Sequence, residues 1–182
     1  MNVSAVEVAD PSWLTRVEKT LTETGIPPQR LQLELTERAF MADDGGPLAA
    51  LRALADAGVR IALDDFGTGY SNLAYLGQLP LQVVKLAGPF VQRIRDSAGA
   101  TDFVVLESIV GLTHALGFTA TAECVETRFQ AEQLRALHCD TAQGWYFHRP
   151  LTEEGVTELL EGQRGGRHGS TDGVVEGTRR GG

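Results

Sequence analysis

Apolar positions along the chain switch repeatedly between the alternating spacing typical of strands and the wider spacing typical of amphipathic helices. Strands are predicted at residues 31–35, 59–63, 82–86, 118–122 and 140–142. Helices are predicted from about residue 13 to 24, 48 to 57, 72 to 76, 102 to 116, 128 to 137 and 152 to 161. Five strand signals, each followed by a helix, predict one α/β domain over residues 1–161.

Strand–helix units of this length predict parallel strands joined by right-handed crossovers. Two architectures are built from such units, the doubly wound sheet and the (β/α)8 barrel. The residue types that end the strands favour the barrel, because barrels collect polar side chains at the carboxyl ends of several strands. The predicted fold class is therefore α/β, an incomplete (β/α)8 barrel of the TIM type that lacks its first strands.

Each predicted strand ends in an acidic, cationic or amide side chain. These residues are Glu34, Glu37, Asp64, Asp65, Lys85, Glu123, Glu126 and Gln143. For any one of them a solvated loop carboxylate is the ordinary explanation. Five strands that deliver such groups to the same end of a sheet predict a charged pocket instead.

Several carboxylates in one pocket predict bound cations, because like charges raise one another's pKa at a cost in stability. Oxygen ligands alone favour Mg²⁺ or Mn²⁺ over zinc. The four histidines show no zinc-type spacing. Cys124 and Cys139 also lack metal-ligand spacing and are predicted to be buried or half-buried reduced thiols.

The formal net charge is −8 and the isoelectric point is about 5.0. Such a negative field disfavours binding to a nucleic acid polymer. No apolar run approaches a membrane span and no leader pattern opens the chain, so this segment is predicted to be cytoplasmic and without membrane contact. Residues 162–182 are rich in glycine and arginine and are predicted to form a disordered tail.

Six short motifs occur in one order and resemble the successive motifs of EAL domains, the cyclic di-GMP phosphodiesterase family. They are Asn-Val-Ser at 2–4, Leu-Glu-Leu-Thr-Glu at 33–37, Leu-Asp-Asp-Phe-Gly-Thr-Gly-Tyr-Ser at 63–71, Val-Lys-Leu at 84–86, Ala-Glu-Cys-Val-Glu-Thr at 122–127 and Gln-Gly-Trp-Tyr-Phe-His-Arg-Pro at 143–150. The similarity extends over about residues 2 to 160. It implies metal-dependent hydrolysis of cyclic di-GMP to the linear dinucleotide pGpG.

The resemblance also implies roles for individual residues. Asn2, Glu34 and Asp64 match ligands of one Mg²⁺ or Mn²⁺ ion, and Asp65 matches a ligand of a second ion. Glu123 matches a carboxylate of the second metal site or the general base. Lys85 matches the lysine that contacts the attacking water and the phosphate. Supporting and loop positions are matched by Glu37, Gly67, Thr68, Gly69, Glu126 and Gln143.

The chain departs from the family pattern at several points. The segment with the family's Glu-Ala-Leu signature is absent, so five strands stand where a barrel needs eight. Open sheet edges predict a marginally stable or aggregation-prone fragment unless an upstream segment, a partner or a homodimer covers them. Ala87 stands where the family has aspartate, and Cys124 stands where it has glycine and is expected to crowd the backbone.

Three hypotheses follow from this match and its departures. The first is a metal-dependent phosphodiesterase that acts on cyclic di-GMP. The second is a catalytically degenerate module that binds cyclic di-GMP or a protein partner, and the loss of a carboxylate at Ala87 favours it. The third is a non-functional fragment.

Overall fold

Five parallel strands form a single sheet in chain order, β1-β2-β3-β4-β5, in the computed structural model. The model describes residues 1–36, 46–67, 76–95 and 99–165. The strands span Gln32–Thr36 (β1), Arg60–Phe66 (β2), Val83–Leu86 (β3), Thr119–Ala122 (β4) and Thr141–Ala142 (β5). All five predicted strands are confirmed, with boundaries that differ by a few residues.

The helices of the described residues span Ala5–Ala9 (α1), Trp13–Thr24 (α2), Gly46–Asp56 (α3), Gly88–Gln92 (α4), Ala100–Ala115 (α5), Arg128–Ala136 (α6) and Glu153–Gly165 (α7). A 3-10 turn at Pro28–Arg30 precedes β1. The predicted helix at 72–76 lies outside the described residues except at its last position. No helix in the described part of the chain is long and apolar enough to cross a membrane.

Two short helices were not predicted because each is too short to show helical periodicity. Helix α1 has one buried residue, Val8, and begins with a capping box in which Ser4 and Glu7 exchange hydrogen bonds. Helix α4 begins with a Gly-Pro pair directly after β3. Helix α7 continues to Gly165, four residues beyond the predicted helix end at Glu161, and the boundary between domain and tail stays a prediction. The remainder of the predicted tail lies outside the described residues.

The strand order decides between the two architectures that the sequence left open. A sheet whose neighbours follow chain order, with right-handed crossovers throughout, carries all its helices on one face, as a barrel does. That face is apolar and almost fully buried at Leu33, Leu35, Ile61, Leu63, Val84, Leu86, Ala120 and Ala122, which are 0–2% exposed. The structure is consistent with the predicted incomplete barrel.

The helix-covered side of the sheet contains two clusters of buried apolar residues. One joins β1 and β2 to α1, α2 and α3 and includes Val8, Trp13 and Leu51. The other joins β3 and β4 to α4, α5 and α6 and includes Val91, Leu106 and Leu134. Together they hold the five strands in register, so that the strand ends form one edge.

The opposite face of the sheet corresponds to the inside of a barrel and is largely polar, although it also carries the buried residues Ala62 and Val83. Strand register puts four threonines on it, namely Thr36, Thr119, Thr121 and Thr141. Thr121 Oγ1 lies 2.6 Å from Thr141 Oγ1, so these hydroxyls hydrogen bond to each other across neighbouring strands. Bulky branched side chains usually fill this side of a complete barrel. Threonine hydroxyls tolerate contact with water better than Val, Ile or Leu would.

The first three residues extend the sheet beyond β1. Asn2 pairs in parallel with Glu34, Val3 N donates to Glu34 O at 2.9 Å, and Glu34 N donates to Met1 O at 2.9 Å. These hydrogen bonds satisfy backbone groups of β1 that an open edge would leave unpaired. Since paired residues of parallel strands point to the same face, Asn2 lies on the face that carries Glu34.

Candidate active site

The carboxyl edge of the sheet brings together the polar residues that the sequence predicted there. Thr36 pairs with Asp64 and Lys85 with Thr121, so both Asp64 and Lys85 point to the inner face, and each directly follows a member of the Leu63–Val84 pair. Glu123 follows β4 directly and Gln143 follows β5. The site therefore comes from the ends of successive strands, as expected for chemistry on a barrel.

Lys85 lies at the centre of the site and is 4% exposed. Its Nζ lies 2.6 Å from Glu34 Oε2, 2.9 Å from Asp64 Oδ1 and 2.6 Å from Glu123 Oε1. Burial alone would lower the pKa of the lysine, but contacts with Glu123, Glu34 and Asp64 outweigh it and raise the pKa above its usual value. Lys85 is therefore a permanent cation that neutralises part of the carboxylate charge.

Glu34 is held from two sides. Lys85 donates to its Oε2, and Gln32 Nε2 donates to its Oε1 at 3.0 Å. Burial alone would raise the pKa of Glu34, but the hydrogen bonds from Lys85 and Gln32 favour the charged form and lower it. Glu34 therefore stays ionised and offers a charged oxygen to the site. Gln32 was not predicted to support the site, although its spacing two residues before Glu34 on one strand face was a usable signal.

Asp64, Asp65 and Glu123 form the carboxylate group that best fits a divalent cation. One oxygen from each lies within 4.8 Å of the others. Asp64 Oδ1 is buried and, among the described residues, has no hydrogen-bond partner, although Lys85 Nζ is at ion-pair distance. Three carboxylate oxygens this close to one another suit Mg²⁺ or Mn²⁺. The donor set therefore fits the predicted metal ions.

Gln143 and Glu126 have different positions relative to this group. Gln143 Nε2 donates to Glu123 Oε1 at 2.7 Å and so fixes the carboxylate that also contacts Lys85. Glu126 is exposed, and its backbone N–H donates to Gln130 Oε1 at 2.8 Å near the start of α6. The structure thus brings Gln143 into the carboxylate site and leaves the Glu126 side chain at the rim of a cavity beside it.

Two non-glycine residues at the site have left-handed backbone conformations, Asp65 with φ 54° and Cys124 with φ 56°. Asp65 lies within an irregularity in the pairing of β2 with β3, between Leu63 and Phe66. Such conformations cost about 1–2 kcal/mol and are frequent where a functional side chain must be redirected. At Asp65 the bend lets both members of an adjacent Asp pair contribute to one carboxylate group.

Gly67, one of the loop positions that match the EAL motifs, has a steric reason to be glycine. Its φ is 91°, and a Cβ there would lie 2.6 Å from the ring of Phe90 on α4. The close neighbour that excludes a side chain at Gly67 is therefore an aromatic ring of the chain. Three other predicted site residues, Glu37, Thr68 and Gly69, lie outside the described residues.

The two departures from the family pattern meet at the start of α4. Ala87 is fully buried and is the N-cap of that helix. Cys124 is exposed, contrary to prediction, and a Cβ on Gly88 would lie 2.8 Å from its Sγ. The missing side chain at Gly88 therefore leaves the space that Cys124 needs. Cys139 is buried as predicted, and burial raises the pKa of its thiol to about 12.

Comparisons with known proteins agree with this geometry. The EAL domain family model matches residues 1–150. The uncharacterised protein Rv1357c of Mycobacterium tuberculosis is 44% identical over 153 residues, which are 83% of this chain and 50% of that protein. The cyclic di-GMP phosphodiesterase NbdA of Pseudomonas aeruginosa is 35% identical over 164 residues, which are 90% of this chain and 21% of that protein.

A solved structure is also similar to this chain. The manganese and cyclic di-GMP complex of Klebsiella pneumoniae BlrP1 superposes with a TM-score of 0.73 at 28% identity, over 82% of this chain and 38% of that one. The chain spans at most about half the length of the curated relatives described above.

Proposed function

Because the chain belongs to the EAL domain family, we propose that it hydrolyses cyclic di-GMP to pGpG with the help of two Mg²⁺ or Mn²⁺ ions. One observation carries the proposal. Asp64, Asp65 and Glu123 offer three mutually close carboxylate oxygens, and Asp64 Oδ1 is buried with the Lys85 ammonium 2.9 Å away. The manganese and cyclic di-GMP complex of the related BlrP1 supports both the cofactor and the substrate.

Asp64, Asp65 and Glu123 would hold the metal ions together with Glu34 and Asn2. When bound, the ions lower the pKa of a water molecule and neutralise phosphate charge. The remaining work falls to the residues of the chain. Glu34 stays ionised because hydrogen bonds from Lys85 and Gln32 lower its pKa, and the Asp64 carboxylate contacts the same Lys85 ammonium at 2.9 Å. These fixed negative charges select a cation over the anionic substrate at this point of the site.

Lys85 and Glu123 are proposed to act on the reacting groups. Lys85 Nζ is a buried, permanently charged donor, and it can stabilise negative charge that develops on the phosphate oxygens. In the alternative in which Glu123 does not hold a metal ion, it is proposed to accept a proton from the attacking water, with its carboxylate oriented by Gln143. Both groups come from strand ends, so their separation is set by the sheet and not by a loop.

The first experiment measures pGpG formation from cyclic di-GMP in the presence of Mn²⁺. The test variant is Asp64→Asn, which keeps the shape of the side chain and removes the charge. The matched control is Asp56→Asn at an exposed position of α3. Product from the wild type and the control but not from Asp64→Asn is the expected result. Equal product from all three would show that hydrolysis does not depend on this site.

A second candidate function is binding of cyclic di-GMP without hydrolysis. Ala87 favours it, because this buried position after β3 supplies no carboxylate to the site. Saturable binding of cyclic di-GMP with no product would support this function. Homodimer formation and a cytoplasmic location stay predictions, and sedimentation or light scattering of the purified chain tests the first of them.

A further inference from the structure

Gln130, in the first turn of α6, is a glutamine that is only 6% exposed. Glutamine side chains usually lie on the surface, because burying an amide without partners is costly. The Gln130 amide has partners on both of its polar atoms. Its Oε1 accepts from the backbone N–H groups of Glu126 at 2.8 Å and Thr127 at 3.0 Å, and its Nε2 donates to Val91 O at 3.2 Å.

A capping box accounts for only part of this arrangement. Thr127 is the N-cap of α6, and it exchanges hydrogen bonds with Gln130 as such boxes do. The bonds to Glu126 N and Val91 O lie outside the box, since neither group belongs to α6 or to its cap. The capping box of α1 shows the difference, because its glutamate, Glu7, is exposed and accepts within the box. Gln130 therefore does more than begin a helix.

The hydrogen bonds of Gln130 join the two segments that follow β3 and β4. Lys85 is in β3, which leads into α4, and Val91 lies in the last turn of α4. Glu123 directly follows β4, in the loop that continues through Glu126 to α6. Lys85 Nζ and Glu123 Oε1, which are 2.6 Å apart, belong to these same two segments. Gln130 thus connects the parts of the chain that hold the two ends of this ion pair.

The loop between β4 and α6 needs such a connection. Glu123 N donates to Leu86 O at 3.3 Å, which is long for a hydrogen bond. The next residue, Cys124, has the left-handed φ of 56°, and such a conformation persists only where the surrounding structure fixes it. Gln130 holds the far end of the loop through Glu126 N. The position of the Glu123 backbone therefore depends on both ends of the loop.

We propose that Gln130 is a positioning residue for the carboxylate site. By joining α4 to the loop after β4, its amide sets the position of the Glu123 carboxylate relative to the Lys85 ammonium. Gln130 acts through Glu123, whether that carboxylate holds a metal ion or accepts a proton. The inference rests on the proposed function, because Glu123 belongs to the same site. Substituting residues that orient the ligands of a metal site typically lowers metal affinity or activity about 10–100-fold.

Substitutions within one capping box separate positioning from helix capping. Gln130→Glu keeps an acceptor for the Glu126 and Thr127 N–H groups, and glutamate is common at this position of a capping box. Its carboxylate cannot donate to Val91 O, so the connection to α4 is lost, while the charge at a helix N-terminus favours folding. Gln130→Met, of similar volume and without either polar atom, is the second test variant. The matched control is Thr127→Ala, which removes the cap to Gln130 N and keeps the Val91 contact.

The Lys85 ammonium gives a readout that requires no hydrolysis. The chain has two lysines, and the other, Lys19, has a side chain that is 69% exposed. An NMR spectrum of the ¹⁵N-labelled lysine ammonium groups in EDTA should therefore separate the two signals. We expect both Gln130 variants to move the Lys85 signal in the same direction as Glu123→Gln does, and Thr127→Ala to leave it in place. An unmoved Lys85 signal in the Gln130 variants, or equal movement in Thr127→Ala, would overturn the proposal.

Kinetics at saturating Mn²⁺ separate this proposal from the proposed function. Gln130→Glu should lower kcat for pGpG formation about tenfold or more and leave KM within about twofold. Thr127→Ala should keep kcat within about twofold although its thermal midpoint falls. Movement of the Lys85 signal in a protein that forms no pGpG would support the positioning of Glu123 and refute hydrolysis. An unmoved signal and unchanged kcat in Gln130→Glu would refute the role of Gln130 and leave the proposed function intact.

Discussion

Lys85 should stabilise the metal-free protein, because its ammonium is the positive charge that contacts three carboxylates of the site. Glu34, Asp64 and Glu123 lie 2.6–2.9 Å from Nζ, and their side chains are only 16–19% exposed. The substitution Lys85→Met keeps most of the aliphatic chain and removes the charge. It would leave these carboxylates to repel one another with little solvent to screen them.

The size of the effect follows from this geometry. Removing one partner of a buried ion pair costs about 3–5 kcal/mol. The carboxylates are partly exposed, so water can solvate them and offset part of this cost. We therefore expect a loss of about 3 kcal/mol in the free energy of unfolding at neutral pH. With a urea m-value of about 2 kcal/mol/M, the midpoint should fall by roughly 1.5 M. Domains of this size are stable by about 5–15 kcal/mol, so the variant should still fold.

The assay is urea denaturation in EDTA, with Lys19→Met as the matched control. Lys19 is also paired with a glutamate, Glu23 at 3.6 Å, but its side chain is 69% exposed, and its loss should change stability by only a few tenths of a kcal/mol. Added Mn²⁺ should restore much of the stability of Lys85→Met by replacing the missing charge. Acidification toward about pH 4 should also reduce the difference in stability between Lys85→Met and the wild type, since protonation removes the repulsion between the carboxylates.

A Lys85→Met variant within about 1 kcal/mol of the wild type in EDTA at neutral pH would refute this reasoning. So would a loss of stability that Mn²⁺ leaves unchanged, because it would trace the effect to packing of the lysine chain. The same variant also tests whether the Lys85 ammonium competes with a metal ion for the carboxylates. If the ammonium occupies the carboxylates in the metal-free state, Lys85→Met should bind Mn²⁺ more tightly than the wild type in a calorimetric titration.

Three further predictions concern other parts of the site. Mn²⁺ should raise the thermal midpoint of the wild type and leave that of Asp64→Asn almost unchanged, as followed by circular dichroism. Because the pKa of Glu34 is lowered from its usual 4.5, the stability it contributes is present above that pH and lost as the pH falls, so the destabilisation caused by Glu34→Gln should shrink in urea titrations from about pH 7 to pH 3. Gly88→Ala should lower the free energy of unfolding by about 1–3 kcal/mol, because its Cβ would lie 2.8 Å from Cys124 Sγ. In a Cys124→Gly background the same substitution should cost clearly less. Additive effects of the two substitutions in urea denaturation would contradict that contact.

The sequence by itself determined the strand–helix order and the residue types at the strand ends. These follow from local rules, since apolar periodicity reports which face of an element is buried and polar residues end the strands. Glu34, Asp64, Lys85 and Glu123 could therefore be assigned to one edge before their distances were known. Helix α1 could not be predicted in this way, because its five residues are too few to show a helical period.

Only the tertiary structure decided how the site is assembled. No local sequence pattern predicts that Lys85 contacts three carboxylates, because these residues come from different strands. Glu34, for example, lies 51 residues before Lys85 in the chain. The contact between Cys124 and Gly88, and that between Gly67 and Phe90, likewise depend on how α4 packs beside the strand ends. Trp145 belongs to one of the sequence motifs, but the motif does not predict that its side chain is exposed. The exposure depends on how the neighbouring Gly144 packs against Val125. Periodicity fixes which residues face inward, whereas packing between distant segments fixes which of them touch.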